Sequence, residues 1–530
     1  MPYPVNIDLT PEEYCTPELM RRSIAKKTGI PIDDIGHVSV CRRSLDSRHG
    51  RLLYHSSLEV YTQNEQFTPK EYHAHYLDCR NKPPIVIVGA GPAGLFAALK
   101  ALQLGLRPVI VERGKPVNLR KHDIARLTRE RIVDTDSNWC FGEGGAGTYS
   151  DGKLYTRSTK RGNVQEVLER FVEHGADSQI LLDAHAHIGT DKLSGIIASI
   201  RNTVESYGGE YHFGCRVTQL LVKDTPAGKV VHGVADSSGN KYEGIAVILA
   251  TGHSARDIYD LFEQQGWLLE AKPFALGVRV EHPQALINAI QYHQPQHSKL
   301  KTQNSQLRFL PPASYSLTTQ VDGHGVFSFC MCPGGIIVPA ATAPGEQVVN
   351  GMSNSRRNSP FANSGIAVTV SPDNLPQYEK YGALGLLHFQ QDVERQLCQA
   401  MGDNIVSPLQ RLTDFCSGRT SQTNNKTNYL GPTCNAPIHE LLPPFVVHCL
   451  QQGLRQFDKS MHGFYTDQAS ILAVESRTSS PVRIPRDSTM QHPQLRGLYP
   501  CGEGAGYAGG IVSSALDGIN AVNNIFLTLL

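Results

Sequence analysis

The chain has 530 residues, 19% of them charged, and a formal net charge of +1. A chain of this length can bury two or three hydrophobic cores, and so balanced a charge offers no field to attract nucleic acid or an anionic membrane. Because the first 23 residues carry Asp, Glu and Arg and the 12 cysteines lack Cys-x-x-Cys spacing, we expect a soluble cytoplasmic protein with reduced thiols and without a nucleic-acid or membrane partner.

Residues 1–62 are predicted to form a small α+β module. Their apolar pattern predicts strands at 5–9, 37–42 and 52–61 and a helix over 19–28. Residues 63–84 are polar and form a connector. It contains His73, His75 and Cys79, but their spacing matches no standard zinc pattern and a fourth ligand is missing, so no metal site is expected.

The stretch at residues 85–112 is the most informative in the chain. A short apolar strand leads into Gly89, Gly91 and Gly94, which open a helix rich in Ala and Leu. These glycines permit a tight turn, close approach of backbone N–H groups to a pyrophosphate, and close packing of helix on strand. A second strand ends in Glu112, where an acid accepts hydrogen bonds from an adenosine ribose. The predicted dinucleotide contacts are Gly89, Gly91, Pro92, Ala93, Gly94, Glu112 and Arg113.

A glycine-rich loop follows at residues 142–153. Five of its twelve residues are glycine, too many for a buried helix or strand, so we expect its backbone to pack against something flat or charged. The alternative is a flexible surface loop, in which Asp151 caps a turn.

The next segments alternate between helical and extended patterns. Helices are predicted from residue 163 and over 192–207, and strands at 211–213, 217–222, 229–236 and 245–250. Residues 265–470 then form a mixed α+β insertion, which we interpret as a substrate domain. The first fold is expected to resume at about residue 470.

Cys330 and Cys332 suggest a dithiol at the end of a strand predicted over 326–332. Residues two apart in a strand have Cα atoms roughly 6.6 Å apart, near the upper limit of roughly 6.8 Å for a disulfide, and Pro333 favours an extended Cys332. A direct bridge would need the strand to be broken. We therefore interpret the pair as structural or substrate-pocket thiols, with redox activity and metal binding as alternatives.

Basic residues give the clearest indication of a substrate. Arg279, Arg477, Arg483 and Arg486 lie in or near segments expected at the cofactor. Guanidinium groups recognise carboxylate or phosphate through two hydrogen bonds, so Arg477 and Arg483 are predicted site residues for an anionic substrate. The alternative is that such arginines form ion pairs with Glu281, Glu475 or Asp487. His253 is the candidate for proton transfer, unless it is a hydrogen-bonded structural histidine.

The C-terminal segment at residues 497–511 indicates FAD and not NAD(P), two cofactors that share the glycine motif seen at residues 85–112. A short strand, a Gly-Glu pair, further glycines and a helix start resemble the second FAD motif of two-dinucleotide-binding-domain flavoproteins, in which the acid holds the ribityl chain. The strand ending in Ala-Thr-Gly at 250–252 resembles the one these proteins place under FAD. The further predicted FAD contacts are Val217, Thr251, Gly252, Gly502, Glu503, Gly509, Gly510 and Ile511.

Several motifs between residues 140 and 515 resemble the family of FAD-dependent dehydrogenases of largely unassigned substrate, which is related to aminoacetone-oxidase-like and fumarate-reductase-like flavoproteins. They begin at Gly142, His187, Gly252, Phe329 and Glu475. The resemblance implies that the loop at 142–153 wraps the flavin. It thereby implies flavin contacts at Gly144, Gly145, Gly147 and Thr148, with Lys153 as a cation near the flavin carbonyls.

The predicted fold class is α/β, an FAD-binding Rossmann-like fold with an inserted substrate domain and a small N-terminal module. The predicted segments are 1–62 (module), 63–84 (connector), 85–264 (first part of the FAD domain), 265–470 (insertion) and 471–530 (return to the FAD domain). We expect non-covalently bound FAD.

The expected function is that of an FAD-dependent oxidoreductase acting on a small anionic metabolite. No second dinucleotide motif is found between residues 160 and 480, so electrons would come from the substrate, from transiently docked NAD(P)H or from a protein carrier. One alternative is a flavin-bound electron carrier or redox sensor that docks a protein through residues 1–62. Flavin-dependent RNA modification is disfavoured by the balanced charge.

Overall fold

The computed structural model describes residues 2–48, 51–156, 159–226, 228–293 and 308–530. Its N-terminal elements are β1 Tyr3–Leu9, α1 Pro11–Cys15, α2 Pro17–Thr28, β2 Ile35–Asp46 and β3 Leu53–Thr62. The strands form an antiparallel sheet in the order β1-β3-β2, and each predicted segment of the module lies within or overlaps one of these elements. Arg43 joins the module to the rest of the chain through an ion pair with Asp183.

A five-stranded parallel sheet forms the Rossmann-like core and confirms the predicted fold class. The elements of this part are β4 Pro84–Val88, α3 Pro92–Gln103, β5 Arg107–Glu112, α4 Val117–Glu130, α5 Val164–Glu173, α6 Thr190–Ser206, β6 Glu210–Phe213, β7 Val217–Thr225, β8 Gly228–Asp236, β9 Lys241–Glu243, β10 Val247–Leu249, α7 Arg256–Gln264, β22 Leu498–Pro500 and α13 Ile511–Leu529. The sheet order is β22-β10-β4-β5-β6. Its central strands read as continuous apolar runs because both faces are covered, one by α3, α6 and α13 and the other by α7 and the three-stranded sheet β7-β8-β9. Neither α13, at 19 residues, nor another helix of the described ranges is long and apolar enough to cross a bilayer.

The intervening segment builds a second, seven-stranded sheet. Its elements are β11 Glu270–Ala271, β12 Phe274–Pro283, α8 Gln284–Gln291, β13 Thr318–Val321, β14 His324–Cys332, β15 Ile336–Pro339, β16 Val349–Met352, β17 Phe361–Val370, α9 Gly385–Ala400, β18 Ser407–Arg411, α10 Leu412–Cys416, β19 Thr433–Asn435, α11 Ile438–Leu441, α12 Pro444–Ser460, β20 Ser470–Glu475 and β21 Val482–Arg483. The sheet order is β13-β14-β17-β12-β20-β18-β19. It buries its own apolar core against α9 and α12.

The return to the first fold lies later than predicted. Strand β20 pairs with β12 and β18 in the second sheet, so the segment from residue 471 still belongs to the inserted unit. The chain rejoins the parallel sheet at β22, which pairs with β10. An apolar strand such as β20 has the same local pattern in either sheet, because only its non-local partners differ.

One buried acid in the second sheet makes stability depend on pH. Glu281 is 1% exposed and accepts hydrogen bonds from the Asn428 backbone N–H at 3.1 and 3.2 Å. Burial raises its pKa to about 7, against the opposing effect of hydrogen bonds from Thr427 and Asn428. Because folding raises this pKa, the protonated side chain of Glu281 favours the folded state. This contribution to the free energy of unfolding is fully present below the unfolded-state pKa near 4.5 and is lost as pH rises through 7.

We therefore expect Glu281→Gln to stabilise the protein relative to wild type at pH 8 and to change it little at pH 4.5. The expected difference is on the order of 3 kcal/mol, since each pKa unit corresponds to about 1.4 kcal/mol. Urea denaturation of both proteins at the two pH values measures it. A variant whose relative stability is the same at both pH values would contradict the buried, protonated state of Glu281.

Candidate functional site

A cavity of about 340 Å³ lies at the carboxyl ends of the parallel strands and reaches the second sheet. We call it the cofactor cavity. Its lining combines the turn after β4, the end of β5, the glycine-rich loop, the turn after β10, the segment before α13 and residues of β14 and β16. Open parallel sheets place their ligands at this edge.

The turn between β4 and α3 has the geometry that its glycines predict. Gly89 has φ +105, and a Cβ there would lie 2.4 Å from the carbonyl oxygen of Ala250. Gly91 is the N-cap of α3, and Pro92 and Ala93 follow it along the cavity wall. Gly94 does not belong to the described lining: a Cβ on it would lie 2.0 Å from the Gly89 carbonyl oxygen. This contact shows that Gly94 permits close packing of the helix on the turn, and its contact with the cofactor stays a prediction.

Glu112 lies at one end of the cavity and also holds the surrounding backbone in place. One carboxylate oxygen accepts a hydrogen bond from the Ala90 N–H at 2.8 Å, and the other accepts from the N–H groups of Gly114 at 2.9 Å and Gly142 at 3.0 Å. The side chain is buried and lines the cavity. The sequence indicated its position but not these three backbone contacts.

Glu503 lies towards the other end and contacts His253. Its carboxylate is 3.0 Å from Nδ1 of His253, and both residues line the cavity. Glu503 is 27% exposed in its side chain. The pair is formed by the Gly-Glu motif and the residue after Ala-Thr-Gly, two motifs that lie 250 residues apart in the chain.

We expect Glu112→Ala and Glu503→Ala each to weaken FAD binding by about 1–3 kcal/mol, because each removes a charge-assisted hydrogen-bond acceptor. Only Glu112→Ala should also destabilise the apoprotein, since three backbone N–H groups lose their acceptor. Thermal unfolding of the apoproteins and FAD titration of each variant measure the two effects. Equal loss of apoprotein stability in both variants would contradict this division of roles.

The glycine-rich loop is ordered by a buried arginine that the sequence analysis missed. Arg120 of α4 is fully buried and donates hydrogen bonds to the carbonyl oxygens of Asn138 and Trp139 at 2.8 Å, Glu143 at 2.9 Å and Gly145 at 2.8 Å. The loop is thus a fixed wall and not a flexible surface segment. A helical arginine before the loop gives no local signal of this function.

Two of the four predicted flavin contacts in this loop face away from the cavity. Gly145 and Gly147 belong to the described lining, whereas Gly144 and Thr148 do not. A Cβ on Gly144 would lie 2.0 Å from the Thr148 hydroxyl, and that hydroxyl donates to the Glu143 carbonyl oxygen at 3.1 Å. These two residues therefore make contacts inside the loop, and direct flavin contact at Gly144 and Thr148 stays a prediction.

Several glycines border the cavity, and because they have no side chains the backbone leaves space for a dinucleotide. A Cβ added to Gly252, Gly509 or Gly510 would meet no atom within 4 Å, and one on Gly91 would meet nothing nearer than 3.8 Å. The N-termini of α3 and α13 both border this space, and α13 begins at Ile511 directly after the glycines. Two helix N-termini and two separated carboxylates fit the pyrophosphate, ribose and ribityl groups of FAD.

Arg113 lies at the end of the cavity where the adenosine is expected, and its guanidinium is held by ion pairs. Arg113 forms ion pairs with Asp136 and Asp257, both at 2.9 Å, and lies 4.1 Å from the centre of the Phe141 ring. Arg113, Asp257, Phe141 and Val217 all line the cavity. Predicted contacts at Arg113 and Val217 therefore lie at the cavity, while Asp257 and Phe141 were missed.

The opposite end is formed jointly by the glycine-rich loop and the second sheet. The Lys153 ammonium donates a hydrogen bond to the Met331 carbonyl oxygen, and Lys153 lines the cavity with Cys330, Asn350 and Gly351. Asp151 is buried beside it and pairs with Arg357 at 3.0 Å. Burial raises the pKa of Asp151, but the charges of Arg357 and Lys153 outweigh this and lower it. Asp151 is thus an ion-pair residue and not a simple turn cap.

The two arginines predicted for the substrate have other contacts. The Arg477 guanidinium lies 2.6 Å from Glu346 and 2.9 Å from Glu394, and it donates to the Thr342 hydroxyl at 2.6 Å. Arg477 borders the cavity, but these contacts favour the ion-pair alternative. Arg483 is outside the described lining and pairs weakly with Glu270 at 3.4 Å. Neither is retained as a substrate ligand.

Two family models for FAD-dependent proteins match segments of the chain that line this cavity. Residues 84–125 match a family model described as an FAD binding domain, and residues 273–478 match one described as FAD-dependent protein, C-terminal domain-like. Residues 1–61 match a domain of unknown function. Among solved structures, a geranylgeranyl bacteriochlorophyll reductase-like protein of Thermoplasma acidophilum is 12% identical, with 84% of this chain and 79% of that chain covered and a TM-score of 0.34. A flavocytochrome c3 fumarate reductase is 11% identical, with 85% and 79% covered and a TM-score of 0.32.

A whole-length relative shows the family. An uncharacterised protein of Clostridium beijerinckii is 36% identical over 530 residues, which cover 96% of this chain and 95% of the relative. The match extends through both sheets and the N-terminal module. The two FAD-related models cover the first nucleotide-binding turn and the second sheet of this chain. The chain therefore belongs to the same family as the clostridial protein, and the two matching models identify it as an FAD-dependent protein.

Proposed function

We propose that the protein exchanges a hydride between FAD and a small anionic or carbonyl-containing substrate, which binds at the end of the cofactor cavity beside Lys153. One observation carries the proposal: the cavity continues beyond the C-terminal glycines to a wall supplied by β14 of the second sheet and by β16, which pairs with β15 in a separate two-stranded sheet. Bound FAD supplies the hydride chemistry. The N-terminus of α13 offers N–H groups and a positive dipole end where negative charge develops.

The chain's own residues divide the remaining tasks. Lys153 has three donor hydrogens, of which one is directed to the Met331 carbonyl oxygen, so the others can receive a carboxylate or carbonyl oxygen of a substrate. His253 directs Nδ1 to Glu503 at 3.0 Å. This places the proton on Nδ1 and leaves Nε2 as the acceptor for a substrate proton. A cytoplasmic site of action remains our proposal.

Anaerobic mixing of the flavin-loaded protein with NADH, NADPH and panels of 2-hydroxy acids, amines and aldehydes tests the proposal. We expect one donor class to bleach the flavin absorbance. We expect Lys153→Met to slow bleaching by that class while dithionite still reduces the flavin fully. Lys192→Met, at an exposed position of α6 outside the cavity, is the matched control. Absence of bleaching by all donors, or equal rates in both variants, would contradict the proposal.

A further inference from the structure

Strand β14 is irregular where it reaches the cofactor cavity. Cys330 has φ +44, a conformation that a non-glycine residue rarely adopts. Pairing with β17 joins Phe329 to Gly365 and Cys332 to Asn363, so three steps along β14 lie beside two steps along β17. This is a β-bulge, and bulges redirect a side chain beside many active sites.

The bulge removes the geometric objection to a bond between the two thiols. Three residues of β14 cover the length that two residues of β17 cover, roughly 6.6 Å, so the bulge shortens the strand between Phe329 and Cys332 and brings Cys330 and Cys332 closer together than a regular strand would. Cα separations in disulfides run from roughly 4.4 to 6.8 Å. The Cys332 thiol already folds back, since its Sγ lies 3.2 Å from the Cys330 carbonyl oxygen.

Both thiols lie at the cavity, with different access. Cys330 is exposed and Cys332 is buried, and both belong to the cavity lining. The carbonyl groups of the bulge are held by cations from both sides: Arg279 donates to Cys330 at 2.7 Å and Lys153 donates to Met331. Arg279 is in turn fixed by Glu475 at 2.7 Å. Strain at Cys330 is thus maintained by a buried ion pair, an arrangement typical of functional sites.

The electrostatics favour loss of electrons from this pair. Although Cys330 is open to the cavity, desolvation by the surrounding protein raises the pKa of both thiols, against the opposing charges of Lys153 and Arg279. A dithiol whose reduced form is not stabilised as a thiolate is a stronger reductant than one that is.

We propose that Cys330 and Cys332 form a redox-active dithiol that passes two electrons to the flavin. This inference rests on the proposed function of the cavity. Two S–H bonds break and one S–S bond forms. The electron pair passes with one proton to the flavin, and the second proton leaves to solvent. An external thiol reductant then attacks at exposed Cys330, and two external thiols become a disulfide as the protein dithiol is restored. The dithiol would thus supply a route by which electrons reach the flavin.

Anaerobic dithionite titration of the air-oxidised, flavin-loaded protein tests the inference. We expect four electrons to be taken up per flavin in wild type, two for the flavin and two for the disulfide. Cys330→Ser and Cys332→Ser should each take up two electrons. Cys434→Ser removes an exposed thiol outside the cavity and should still take up four. Uptake of two electrons per flavin in wild type would overturn the inference.

A second measurement needs no variant. Alkylation of the oxidised protein followed by peptide mass spectrometry should leave Cys330 and Cys332 unmodified as an internal disulfide, and dithiothreitol should make both reactive. Alkylation of both thiols in the oxidised protein would overturn the dithiol. If the chain bound no FAD, the proposed function would fail as well; if it bound FAD that took up only two electrons, the dithiol alone would fail.

Discussion

Replacing Gly91 with leucine is expected to abolish FAD binding while leaving the apoprotein folded. Gly91 has φ −78, a conformation open to any residue, and a Cβ there meets nothing nearer than the Gly145 Cα at 3.8 Å. The leucine side chain would therefore occupy the space before the N-terminus of α3, where the pyrophosphate would bind. Flavin absorbance of the purified variant and thermal unfolding of its apoprotein measure the two effects.

The matched control is Gly195→Leu, at an exposed position of α6 where a Cβ meets no atom within 4 Å. It adds the same side chain outside the cavity and should keep its FAD. A full complement of FAD in the Gly91 variant would mean that residues 85–112 do not hold the pyrophosphate.

Replacing Arg477 with alanine is expected to lower the free energy of unfolding by about 3–5 kcal/mol, the usual loss when one partner of a buried ion pair is removed. Arg477 and Arg256 share the carboxylates of Glu346 and Glu394, and all four side chains are at most 10% exposed. Burial raises the pKa of Glu394, but the two arginines outweigh it and hold that pKa at about 2. The variant would leave two buried carboxylates to a single arginine. Urea denaturation of the apoprotein measures the loss.

Arg483→Ala provides the comparison, because its side chain is 41% exposed and its ion pair is long. Its expected loss is about 0–1 kcal/mol, as for other surface pairs. The ion-pair account of Arg477 would be contradicted if both variants kept near-native stability while the Arg477 variant alone lost its spectral response to small carboxylates.

The sequence predicted best those features whose cause is local. Gly89 is required by its own positive φ and by a nearby carbonyl, and the strand, turn and helix around it lie within one short segment. The same holds for Glu112 at the end of β5. Such features leave a spacing in the sequence that can be recognised before any fold is known.

Features set by distant partners could not be predicted in this way. Arg477 meets Glu394, which is 83 residues earlier in the chain, and a Ser/Thr-rich segment gives no sign of that carboxylate. Arg120 holds backbone carbonyl groups that lie 18 to 25 residues later in the chain. The bulge at Cys330 depends on register with β17, whereas the sequence alone indicates a regular strand. In each case the deciding contact is non-local.

The most direct test of the central claim is the flavin content of the purified full-length protein. Acid precipitation should release one FAD per chain, identified by chromatography against FAD and FMN standards. Gly91→Leu should release none under the same conditions, and Gly195→Leu should match wild type. A wild-type chain that binds no FAD after reconstitution, or that binds FMN in its place, would contradict the assignment of the cofactor cavity.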